Sequence, residues 1–249
     1  MPVQQLTGKL KKWVARTLFA HARMSFSQSG EDIILSDLFT RLGISRPRYL
    51  DIGANEPKAL SNTYRLYKRG GSGVCVEPNP VLCDKIRRTR KRDTCIQAGV
   101  AFNELRKADY YVFPAKVHGL NTFSAEEAAF WEKTGNDEIG KWKVEKVIPT
   151  ELVDINELMS SYFKPWPNLI SLDVEGLDLQ ILETIDFNRF KPEVFCVETL
   201  WFGPDNTETR NFNLIHFLEE KGYFIYADTY INSIFCRKDA YAARNTGRS

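Results

Sequence analysis

No run in the 249 residues approaches the roughly 18 uncharged apolar residues that span a membrane. The N-terminus also lacks the apolar core and small-residue cleavage site of a secretion signal, so a cytoplasmic protein is expected. An excess of one charge is missing too. Lys and Arg total 34 against 32 for Asp and Glu, and a formal charge of +2 offers no global attraction for nucleic acid. The five cysteines, Cys75, Cys83, Cys95, Cys196 and Cys236, include no CxxC pair. Four of them lie in apolar strand-like runs, so reduced core thiols are expected rather than zinc ligands. Histidine is scarce, with three in all, and there is no internal repeat or low-complexity segment.

What is present suits one sizeable core, since 43% of residues are hydrophobic and 12% aromatic. Leu6, Leu10, Trp13, Val14 and Leu18 share one helical face, surrounded by Lys9, Lys11, Lys12 and Arg16. This basic amphipathic helix suits docking on the protein's own core or on a second subunit of a homo-oligomer, with an anionic membrane surface or an acidic partner as the alternative. In FSQSGEDIILSDLFTRLG, Ser29 is placed to cap a helix that Glu31 and Asp32 open and Gly43 ends. RYLDIG, SGVCVEP and TCIQAGVA then read as strands separated by the helices LSNTYRLYKRGG and NPVLCDKIRRTRKR. That βαβαβ order is the sign of a parallel sheet covered on both faces.

Residues 103–150 break the alternation with two strands, a glycine-containing loop and a short helix, read as an insertion or cap over the site. NLISLDVEG, LDLQILETIDF, EVFCVET and TRNFNLIHFLEEKG resume it, and YFIYAD with NSIFCRK form an antiparallel hairpin. The expected fold is a doubly wound, mostly parallel α/β sheet closed by that hairpin. Residues 1–45 form a helical segment covering the site, 46–240 the main domain, and 241–249 a tail.

In such a sheet ligands lie beyond the carboxyl ends of the strands, where Asp51, Glu77, Asp173 and Glu198 fall. A pyrophosphate loop needs several glycines, but DIGANEP offers only Gly53 before Ala54, Asn55, Glu56 and Pro57. A cationic or neutral ligand fits better. Glu77 closing the second strand suits two ribose hydroxyls. A nucleoside with a positive tail and no phosphate has these features, and S-adenosylmethionine is one.

FSQSGED, YLDIGANEP, SNTYRLYKRGGSGVCVEPNP, LNTFS and ISLDVEG, in this order, resemble the FkbM-type methyltransferases, a branch of the class I S-adenosylmethionine-dependent enzymes with a Rossmann-like fold. The resemblance runs from about Ser27 to Glu198. It implies that Asp51, Gly53, Ala54 and Asn55 approach the methionine end of the cofactor and that Glu77 takes the ribose hydroxyls. Pro78 and Asn79 would shape the adenine side, Gly99 and Val100, ending the third strand, would lie near the adenine, and Gln28 would fold over the site. Many members carry glycine where this chain has Pro57, which alters the loop path.

Methyl transfer from a sulfonium needs alignment, exclusion of water and, for a hydroxyl acceptor, removal of a proton. Asp173 and Glu175 of SLDVEG are the first candidate bases and His118 of KVHGLNTFS the second. Glu198 is the third, and it also suits holding the acceptor, with Trp201 as a platform for an apolar or carbohydrate ring. Asp173, Glu175 and Asp178 have the oxygens a magnesium ion takes, but no further ligands follow at recognisable spacing, and a required metal is not expected. The basic run Lys85, Arg87, Arg88, Arg90, Lys91 and Arg92 reads as a solvated helix end or a seat for a phosphorylated acceptor. The resemblance implies O-methylation of a sugar, glycan or polyketide-like metabolite. A nicotinamide-dependent oxidoreductase and a non-catalytic nucleoside-binding module are the rival readings.

Overall fold

The computed structural model describes residues 22–135, 140–174, 176–202 and 208–244, excluding the side chains of Trp201 and Phe202. The expected basic helix around Leu6 to Leu18 and the candidate Glu175 lie outside the described residues. Helix α1 (Glu31–Arg41) precedes strand β1 (Arg48–Ile52), followed by α2 (Tyr64–Lys68), β2 (Ser72–Val76), α3 (Pro80–Thr89) and β3 (Thr94–Ile96). Next come β4 (Gly99–Val100), β5 (Lys107–Val112), α4 (Ala125–Lys133), β6 (Lys146–Val153), α5 (Ile155–Tyr162), β7 (Leu169–Leu172), α6 (Asp178–Glu183) and β8 (Val194–Glu198). A ribbon of β9 (Leu200–Phe202) and β10 (Glu208–Arg210) leads to α7 (Phe212–Glu220), β11 (Tyr223–Asp228), β12 (Asn232–Arg237) and α8 (Lys238–Ala243).

Seven strands form the main sheet in the order β11-β12-β8-β7-β1-β2-β3. All run parallel except β12, which pairs antiparallel with both β8 and β11. The doubly wound α/β expectation therefore holds. The hairpin does not cap the edge in chain order, because its second strand inserts beside β8.

Period-two alternation splits each strand between two cores. Leu50, Ile52, Val74, Ile170, Leu172, Phe195 and Val197 face α5, α6 and α7. Tyr49, Leu169, Val194, Cys196, Ile234 and Cys236 face Leu35, Leu38 and Phe39 of α1. Each such aliphatic side chain contributes roughly 2 kcal/mol by leaving water. All five cysteines are buried and free, and the Cys83 and Cys95 sulfurs meet at 2.8 Å beneath the edge of the sheet.

Local readings need correction. Gly30, at φ 93°, precedes α1 with no side-chain cap, and Ser29 instead donates its amide to Glu31 at 2.9 Å. The third strand stops at Ile96. Gly99 and Val100 form their own strand, paired with Leu152 and Val153 in a second sheet of order β4-β6-β5. That sheet carries the inserted segment and reaches Val153, past the expected limit at 150. Helix α5 was not expected at all, although Asp154 caps it by accepting the amides of Asn156 and Glu157. Thr209 and Arg210, read as the start of a helix, lie in β10, and α7 starts after its cap Asn211. Arg90 is not a solvated helix end but fully buried. The C-terminal tail is helical through Ala243, with the Tyr241 ring against Phe224 and Tyr226.

Candidate active site

Register lines up the carboxyl ends of the strands. Leu172 pairs with Ile52 on one side and Val197 on the other, and Ile52 pairs with Val76. The next residue of each strand therefore falls in one row: Glu198, Asp173, Gly53, Glu77. Asn232 joins the row opposite Glu198. Asp51 lies two residues before Gly53, inside β1.

The loop after β1 is held close to its neighbours. The amides of Gly53 and Ala54 both donate to the carbonyl of Val76, at 3.0 and 3.2 Å. Gly53 has φ 76°, and a Cβ there would lie 1.9 Å from the carbonyl oxygen of Asp173, so only glycine allows this approach. Asn55 also adopts a positive φ, of 48°, and its Oδ1 is buried without a partner among the described residues. Glu77 is 2% exposed, and its two oxygens accept the amides of Asn55 and Asn79 at 2.8 Å each. A carboxylate oxygen accepts more than one hydrogen bond, so each retains capacity for a ligand hydroxyl. Burial pushes the Glu77 carboxyl up to about 7 despite those two amides. Asn79 caps α3 by accepting the Val81 amide at 2.9 Å, which also orients the Pro78 turn.

Asp51 is buried and accepts from the Thr63 hydroxyl through Oδ2. Arg90 approaches the same oxygen at 3.5 Å and pairs with Asp93 at 2.7 Å, while its Nη2 donates to Thr63 at 2.8 Å. The strongest cation near the site is thus committed to protein carboxylates. Burial pushes the Asp51 carboxyl up, and Arg90 counters it.

Asp173 follows directly on β7 and is exposed to solvent. Desolvation by the surrounding protein, followed by the charges of Asp51 and Glu31, pushes its carboxyl up to about 6, an upward shift that its exposure to solvent reduces. Asp178 begins α6, and burial with the Asp173 charge pushes it up to about 7. Among the described residues no group of three or more His, Cys, Asp or Glu side chains is arranged to hold a metal ion.

The other candidates separate. His118 approaches Glu56 at 3.5 Å, and Lys85 bonds the same Glu56 oxygen at 2.6 Å, so its ionic neighbours belong to the loop after β1 and to α3. Gly99 and Val100 follow closely on Ile96, whose carbonyl accepts the Glu77 amide at 3.0 Å. A Cβ on Gly99 would lie 2.5 Å from the Phe123 ring. Gln28 is exposed in a segment pinned at both ends. Phe26 accepts the Ser61 amide through its carbonyl and packs on Tyr64, while Asp32 accepts from Ser25, Ser27 and the Phe26 amide. Glu198 ends β8, and the backbone of Trp201 pairs with Thr209 in the neighbouring ribbon. Sequence reasoning missed Glu31 and Asn232, which meet at 3.2 Å across 201 positions, a contact no local pattern signals. A cavity of about 600 Å³ at the other end of the sheet, lined by Lys191, Lys221, Arg237 and Lys238 among others, shares no residue with the row.

The family model of the methyltransferase FkbM domain matches residues 51–225, well over half of the chain. The chain belongs to the FkbM methyltransferase family. The match begins at Asp51 and takes in the whole row except Asn232. No curated protein matches this FkbM chain. Among solved structures it is similar to a TehB-like SAM-dependent methyltransferase from Corynebacterium glutamicum, with 10% identity, a TM-score of 0.43, and coverage of 92% of this chain and 97% of the other. An O-methyltransferase from Bacillus cereus in complex with SAH shares 12% identity at a TM-score of 0.43, covering 94% and 92%. Magnesium protoporphyrin IX methyltransferase from Synechocystis shares 8% at 0.40, covering 93% and 92%.

Proposed function

We propose that the protein methylates a hydroxyl of a sugar, glycan or glycosylated metabolite, with S-adenosylmethionine as donor. The observation that carries this reading is the row in which the carboxyls of Glu77, Asp173 and Glu198 flank the backbone of Gly53, with Asp51 beneath it, groups that accept hydrogen bonds and make the rim acidic. Such a rim suits a ligand with hydroxyls and a positive centre and repels a pyrophosphate. A nicotinamide dinucleotide fits poorly for that reason, and Arg90, already paired with Asp51 and Asp93, is not free to offset the repulsion.

The donor set fits the cofactor. Glu77 would accept the ribose hydroxyls through its remaining lone pairs. Asp51 and the unpartnered Asn55 Oδ1 would face the methionine end, together with the Gly53 and Ala54 backbone. Pro78, Asn79, Gly99 and Val100 would line the adenine side, and Gln28 would cover the site. When bound, the cofactor supplies an electrophilic methyl carbon at a sulfonium. The protein's part is alignment, dryness and removal of one proton. Asp173, with its carboxyl near 6, is ionised at neutral pH yet basic enough to take a hydroxyl proton on a carboxylate oxygen. Glu175 and His118 are the other candidate bases, Glu198 and Trp201 the acceptor-side residues, and the inserted segment the cover that keeps water out.

The deciding experiment is calorimetric titration with S-adenosylmethionine and S-adenosylhomocysteine, on wild type and Glu77→Ala, with NADH as a control. Saturable binding weakened about ten-fold by Glu77→Ala, roughly 1.4 kcal/mol, is expected, with the denaturation midpoint checked because Glu77 also holds two amides. Binding of NADH instead, or of neither methyl donor nor product, overturns the proposal.

A further inference from the structure

The row across the sheet ends at Asn232, two strands beyond Asp173. The side chain is 3% exposed, and its Nδ2 donates to Glu31 Oε1 at 3.2 Å. The Thr229 hydroxyl donates to the same oxygen at 2.6 Å. Burial pushes the Glu31 carboxyl up, but the Thr229 hydroxyl and backbone amides outweigh it and hold the group below its ordinary range. Glu31 is therefore an ionised, acceptor-only partner, and it fixes which end of the Asn232 carboxamide faces it. The nitrogen must face Glu31, so Oδ1 points elsewhere, and it is buried without a partner among the described residues. A buried carbonyl left unpaired is a cost that a ligand donor removes.

Register gives the distance this oxygen commands. Asn232 lies opposite Glu198, and Glu198 beside Asp173. Strands are about 4.8 Å apart, so Asn232 and Asp173 stand roughly 10 Å apart along the row with Glu198 of β8 between them, a span that one hydroxylated ring lying over the row would bridge. Asn232 and Glu198 alternate with Ser233 and Val197 and so share the face of Cys196 and Ile234, the α1 side from which Glu31 descends. Asn232 Oδ1 and the Asp173 carboxylate both accept hydrogen bonds, so a molecule that meets both must bring donors.

We infer that Asn232, oriented by Glu31, accepts a hydrogen bond from a hydroxyl of the acceptor and so selects polyhydroxylated acceptors, with Glu31 as a positioning residue. The inference rests on the proposed methyl transfer to a hydroxyl. Its test uses the full chain saturated with S-adenosylhomocysteine and reads saturation-transfer NMR to methyl glucoside, methyl galactoside and methyl rhamnoside. At least one glycoside is expected to show transfer in wild type. Asn232→Ala is expected to cut it five-fold or more while the product Kd stays within two-fold, and Glu31→Gln, which lets the carboxamide turn over, to lower it as well. A deoxy glycoside lacking the contacted hydroxyl should bind wild type and Asn232→Ala alike, a pattern a general loss of structure does not produce. Asn232→Ser replaces Asn232→Ala if the latter loses its cooperative melt. Unchanged glycoside transfer in the Asn232 variant, a weakened product Kd in its place, or no glycoside transfer in product-loaded wild type overturns the inference. Failure of wild type to bind the product at all removes the methyl-transfer reading, and the inference with it.

Discussion

Desolvation, followed by repulsion from Asp51 and Glu31, pushes the Asp173 carboxyl up to about 6. A bound cation favours its ionised form and lowers that value, so binding expels a proton around pH 6. Affinity for a positive ligand is then complete above pH 6 and lost as pH falls through it. S-adenosylmethionine carries a sulfonium that its product lacks, so the preference for donor over product is expected to shrink several-fold between pH 8 and pH 5. Calorimetry at the two pH values reads this directly, and Asp173→Asn should flatten the dependence. A ratio unchanged across that range would falsify the placing of Asp173, the candidate base, within reach of the sulfonium. The carboxylates Asp51, Glu77, Asp173 and Glu198 were legible in the sequence because each closes an apolar run. Arg90 was not, since a basic run says nothing about which member turns inward to meet Asp51 and Asp93.

Among the elements, β2 shows how a small residue builds the site from beneath. Gly73 pairs with Tyr49, and a Cβ there would lie 2.0 Å from the Tyr49 carbonyl oxygen and 2.3 Å from its ring. The vacancy lets the Tyr49 hydroxyl reach Asp93, which also accepts the Gly73 amide at 2.9 Å and pairs with Arg90. Gly73→Ala forces ring and backbone apart and is expected to cost roughly 3 kcal/mol, measured by urea denaturation. A loss under about 1 kcal/mol would show that β1 and β2 yield more easily than this packing implies. The βαβαβ order could be read from apolar periodicity, which buried parallel strands display strongly. Helix α5 could not be read that way, because its eight residues are short and its clearest mark is the Asp154 cap. The split of the third strand after Ile96 is likewise not legible, since apolar and small residues run on to Ala101 and pattern alone does not tell which sheet they join.

At the scale of the whole molecule, a sheet with one antiparallel strand was foreseeable from the closing hairpin, but its strand order was not. Both YFIYAD and NSIFCRK are apolar enough to sit beside β8, and only packing places β12 there, which brings Asn232 into the row. Among the described residues no helix is long and apolar enough to cross a membrane. The buried thiols lend themselves to a different use. Cys95 lies in the three-residue strand β3 at one edge, in contact with Cys83, whereas Cys196 lies in β8 with β7 and β12 on its two sides. An alkylating reagent therefore acts as a clock with hands at different depths. As urea is raised, Cys95 and Cys83 are expected to be modified through local fraying of the edge, and Cys196 only at the rate of global opening. Pulsed alkylation read by mass spectrometry would give that order, and equal rates for Cys95 and Cys196 would mean that the sheet opens as a single unit.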